Sequence, residues 1–127
     1  MLSDAAFLEA FEAGTLGPFH HRDHLRMAWL YLRADPEAAE ERVLDGLRHF
    51  AAVTGASSLF HDTLTRFWVR FVRHVAEAGG AATFDDLFTI FPRLMDQSLP
   101  ERHYRRETLW SPAARQSWVG PDLLPLP

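Results

Sequence analysis

Three histidines fall within five residues in the stretch Phe19-His20-His21-Arg22-Asp23-His24, and a fourth opens His61-Asp62-Thr63-Leu64-Thr65. An imidazole can ligate a metal, shuttle a proton or sit as a hydrogen-bonded core residue. The direction of each ring decides which. An α-helix turns by about 100° per residue, so His21 and His24, at i and i+3, share a face. That face carries Leu25, Ala28, Trp29 and Leu32, the apolar stripe of a helix running from His20 or His21 to Arg33. His20 falls at its edge. His61 lies with Leu64, Trp68, Val72 and Val75 on the apolar stripe of a later helix, whereas His49 and His74 point to the opposite, charged faces of theirs.

Three inward imidazoles have the composition of an open metal site, with a coordination position left for water or substrate. His21, His24 and His61 are therefore candidate ligands for a divalent transition metal: zinc, iron, copper or nickel. Tyr104, Glu107 and Asp62 are the candidate proton-transfer groups, and Thr65 the candidate supporting hydroxyl beside the metal. The chemistry would be metal-dependent turnover of a small-molecule substrate, hydrolytic or oxidative. The competing expectation is a non-catalytic binding or protein-interaction module, its core histidines satisfied by hydrogen bonds.

Positioning these residues requires helices. Residues 4–13 predict a first helix, with Phe7, Leu8 and Phe11 at helical spacing and Gly14 as its stop. Asp35-Pro36 predicts the start of a third, ending at Gly55, and Ser57-Ser58 the start of a fourth, ending at Gly79-Gly80. Thr83-Phe84-Asp85-Asp86 predicts a capping-box start, and Pro92 kinks or ends that helix. Ser111-Pro112 caps a short helix, followed by a proline-punctuated tail. No alternating strand pattern competes. The expected fold is a single all-α domain over residues 1–127, a bundle of four main helices. Its C-terminal extension, about 108–127, packs on the bundle or on a partner.

The totals narrow the function classes. The chain has 127 residues, 47% of them hydrophobic and none of them cysteine, which excludes disulfides, thiolate metal sites and a cysteine nucleophile. A formal charge of −4 argues against a nucleic-acid partner. Absence of a long apolar run argues against a membrane span, and the acidic start lacks a signal-peptide pattern, so the expected location is cytoplasmic. All 13 basic residues are arginine, which reads as codon bias rather than chemistry. Trp110, Trp118, Leu123, Leu124 and Leu126 make the C-terminal region a candidate homo-oligomer contact.

The stretches His21–Arg33, Phe60–Trp68 and Ser111–Asp122 together resemble a family of small, uncharacterised bacterial all-helical proteins, over nearly the whole chain. The matching positions are His21, His24, Leu25, His61, Thr63, Thr65, Ala114, Arg115, Trp118 and Pro121. Asp62 stands where the family pattern has glutamate. The resemblance implies motif boundaries and no settled activity. A looser similarity is to the DinB-like four-helix metalloproteins, which hold a metal with three histidines in a different chain order.

Overall fold

Caps and glycines set the helix ends where the sequence places most of them. In the computed structural model, which describes residues 2–127, Ser3 Oγ accepts the Ala6 N–H at 3.2 Å and opens α1 (Asp4–Ala13). Gly14 closes it with φ 74°, a left-handed turn that favours glycine. The Asp23 carboxylate accepts the His20 N–H at 2.8 Å at the start of α2 (His21–Ala34). The third helix begins later than Asp35-Pro36 predicts. The Asp35 carboxylate accepts the N–H groups of Glu37 and Ala38, which holds residues 36–38 in a turn, and α3 spans Ala39–Val53.

The chain divides into two compact units, one up to Phe60 and one from His61 to Pro127. In the first unit α3 packs against both α1 and α2. Phe11, Phe19 and Phe50 form its aromatic centre, with ring centroids 5.1 to 5.7 Å apart. The Tyr31 hydroxyl donates to Glu12 at 2.6 Å, and Arg26 ties the N-terminal segment through Asp4 and the Leu2 carbonyl.

Gly46 lies inside α3 with its missing Cβ against the Phe11 ring. A methyl built there would stand 2.6 Å from Phe11 Cε2. Gly46→Ala should therefore destabilise the protein by about 1–2 kcal/mol, because overpacking outweighs the gain in helix propensity. A urea midpoint at or above wild type would show that Phe11 yields freely.

The second unit is built on α4 (Asp62–Gly79), closed by Gly80 at φ 65°. It starts five residues after Ser57; residues Ser57–Leu59 form a separate 3-10 turn. Phe67, Trp68, Phe71, Val72 and Val75 give α4 its buried face. The predicted capping box forms. Thr83 Oγ accepts the Asp86 N–H, and the Asp86 carboxylate accepts those of Ala82 and Thr83, opening α5 (Phe84–Ile90). Two 3-10 turns, Pro92–Met95 and Leu99–Arg102, lead to α6 (Arg106–Leu109) and α7 (Pro112–Gln116). Ser111 Oγ caps α7 by accepting the Ala114 N–H. The fold is all-α, with no strand among the described residues. None of the described helices is long and apolar enough to cross a membrane.

Candidate functional site

His61 is the cap of α4 rather than a residue of its buried face. Its Nδ1 accepts the Leu64 N–H at 3.0 Å. That fixes the tautomer: the proton sits on Nε2, which donates to the Leu109 carbonyl at 2.6 Å. The ring is 4% exposed and meets Trp110 edge-on at 5.1 Å. Burial holds its pKa below the ordinary value, with the Leu109 carbonyl opposing and Arg115 adding to the shift. Both ring nitrogens are thus engaged by main chain. No lone pair remains for a metal unless these bonds break.

The other candidates in the second unit are also held by their neighbours. Asp62 is buried and paired with Arg66, with Oδ1 2.8 Å from Nε. The Thr65 hydroxyl donates back to the His61 carbonyl at 2.7 Å, one turn earlier in the chain. The Tyr104 hydroxyl donates to the Val119 carbonyl at 2.6 Å, and burial pushes its pKa up to about 12. A phenol so held is a poor proton carrier at neutral pH. Glu107 is exposed in the single turn of α6.

His21 and His24 lie in the first unit. They do share a face: each is partly buried, and proximity to His21 helps lower the His24 pKa. The larger cause is burial, and the result is a value of about 4. Phe19 meets the His24 ring edge-on at 4.3 Å. His49 and His74 are exposed, as their helical phase predicts, and so is His20, the cap that precedes α2. Among the described residues, no group of three or more histidine, aspartate or glutamate side chains could hold a metal ion.

The structure builds instead a set of contacts that reach the C-terminal tail. Thr63 Oγ donates to the Ser117 carbonyl at 2.8 Å and accepts the Val119 N–H at 3.0 Å. His103 is buried; its Nδ1 donates to the Leu124 carbonyl, and its own carbonyl accepts the Leu123 N–H. Asp122 accepts the Arg105 N–H and the Thr108 hydroxyl, bonds that lower its pKa. Arg70 lies over the Trp118 ring, 4.0 Å from its centroid. No motif in the sequence assigns a role to Thr63, His103, Thr108 or Asp122. One signal was present: Gly120-Pro121 bars a helix, so the tail's main-chain groups need partners elsewhere.

No protein-family model, curated protein or solved structure matches the chain.

Proposed function

We infer that the protein is a non-catalytic binding module whose histidines are structural and whose C-terminal region meets a protein partner. One observation carries this: both His61 nitrogens are bonded to backbone, where a metal site would need a lone pair directed at the ion. Thr63 and Tyr104, the hydroxyls nearest in role, also bond main-chain atoms of the tail. Such groups hold a surface in shape. The C-terminal region also carries three large apolar side chains that are exposed, Trp110, Leu123 and Leu124, at 47%, 51% and 52%. Asp122 ties the tail to Arg105 and Thr108, which places it beside the turn that leads to Trp110. Large apolar side chains left exposed in one region of the chain are what a partner would cover.

Two measurements test the inference. Titration of zinc into chelator-stripped, untagged protein should show no stoichiometric binding. Stoichiometric binding lost in His21→Ala, His24→Ala and His61→Ala would restore the three-histidine metal centre. Sedimentation velocity should show concentration-dependent association, and the combined Trp110→Ser, Leu123→Ser, Leu124→Ser variant should lose it while keeping its helical circular dichroism. Equal association in both chains would remove the proposed surface.

A further inference from the structure

The tail is held in the way an extended peptide ligand is held. Six of its main-chain atoms are bonded to groups outside the segment and α7: the Ser117 carbonyl and Val119 N–H to Thr63, the Val119 carbonyl to Tyr104, and the Leu123 N–H, Leu124 N–H and Leu124 carbonyl to His103. Its only side chains with specific partners of this kind are Trp118, between Arg70 and Tyr104, and Asp122, on Arg105 and Thr108. Main-chain bonds supply affinity and a few side chains supply specificity, the division seen in peptide recognition.

Little apolar surface secures the segment. Leu123 and Leu124 are exposed, as are Ser117 and Gly120, while Trp118, Val119 and Pro121 are half-buried. Hydrogen bonds of this kind each add only modest net stability, because water competes for the same groups. The segment is also joined simply. Ser117 is extended, at φ −158° and ψ 172°, directly after the five-residue α7. A change at that junction would carry the whole segment away without disturbing any other helix.

We propose that Thr63, His103, Tyr104 and Thr108 form a docking site for an extended segment, filled in cis by residues 117–124 and fillable in trans by the same segment of a second copy. The proposal deepens the binding-module inference and rests on it. The occupant is specified by the contacts: any other copy of this chain offers the same main-chain pattern, the same Trp118 and the same Asp122. Exchange preserves the bonds to Thr63, His103, Tyr104, Arg105 and Thr108, so monomer and exchanged dimer differ only at the junction, where the Ser117 N–H meets the Ala113 carbonyl, and in the cost of association. The tethered tail holds the site at low concentration, because tethering gives it a high effective concentration. Weakening that tail should open the site to a competitor.

The probe is a fluorescent peptide with the sequence of residues 117–127, titrated by anisotropy into the full chain. Binding should be saturable and at least about tenfold tighter to the full-length Asp122→Ala chain, whose own tail is weakened, than to wild type. Adding Tyr104→Phe to that chain should weaken it again by about tenfold, as should Asp122→Ala in the peptide. Circular dichroism of each chain confirms that it is folded. If Asp122→Ala fails to fold, wild type alone decides: its dimer, formed at high concentration, should disperse on addition of excess unlabelled peptide. No saturable binding to either chain, or binding indifferent to Tyr104→Phe, overturns the proposal. Association that the peptide leaves untouched but the Trp110, Leu123, Leu124 serine variant abolishes would keep the contact surface and discard the exchange.

Discussion

Replacing His61 with alanine should cost about 3 kcal/mol of stability, the largest effect expected of any histidine substitution at neutral pH. Two losses combine. The Leu64 N–H at the start of α4 loses its cap, and capping residues contribute about 1 kcal/mol each. The Leu109 carbonyl loses the donor it meets at 2.6 Å, and a buried polar group left unpaired costs about 1–3 kcal/mol more. The ring's edge-on contact with Trp110 also disappears. His61→Asn separates the parts. Asparagine is a strong cap, so it should recover about 1 kcal/mol, but it is too short to keep the Leu109 bond. His49→Ala and His74→Ala, at exposed positions, should stay within about 0.5 kcal/mol of wild type. Urea midpoints for the four variants check the series. An His61→Ala chain as stable as His74→Ala would mean that the cap and the carbonyl find other partners.

The same residue shows where reading the sequence succeeds and where it stops. Helical phase separates inward from outward rings because burial follows a fixed angle per residue. It therefore places His24 inward and leaves His49 and His74 outside. Phase assumes, however, that the residue is already inside the helix. Ser57 and Ser58 look like a start, yet the backbone there makes only one 3-10 turn, and α4 begins at Asp62. A shift of five residues turns a supposed face residue into a cap. Its Nδ1 lone pair then accepts the Leu64 N–H. The capping box at Thr83 and Asp86 was legible because both partners lie within four residues. The tail contacts were not, since Thr63 to Ser117 and Thr63 to Val119 span more than fifty positions and no periodicity encodes such a pairing. Tyr104 and Asp62 illustrate the consequence: a residue type suited to proton transfer was visible, but the carbonyl or guanidinium that occupies it was not.

Acid should destabilise the protein through His24, whose pKa is lowered from 6.5 to about 4. Burial is the main cause, the nearby His21 adds to it, and Asp23 opposes it. Phe19 contributes an apolar edge at 4.3 Å and no compensating charge. The sign follows from proton counting. Between pH 6.5 and 4 the unfolded chain binds a proton at this position and the folded chain does not, so unfolding is favoured as pH falls. Stability from this group is complete above about pH 7 and declines through that window. The fall from 6.5 to about 4 bounds the loss at about 3 kcal/mol, most of which is gone by about pH 4.5. His61, also lowered by burial, pushes in the same direction and is present in every chain compared. The comparison is therefore wild type against His24→Leu, which keeps an apolar group near Phe19 and cannot titrate. Urea unfolding at about pH 7.5 and pH 4.5 should show the variant less stable than wild type at the higher pH, with a drop on acidification smaller by about 2–3 kcal/mol. Identical drops in the two chains would mean that the His24 ring charges in place, reached by water or by Asp23, and that its burial has no energetic consequence.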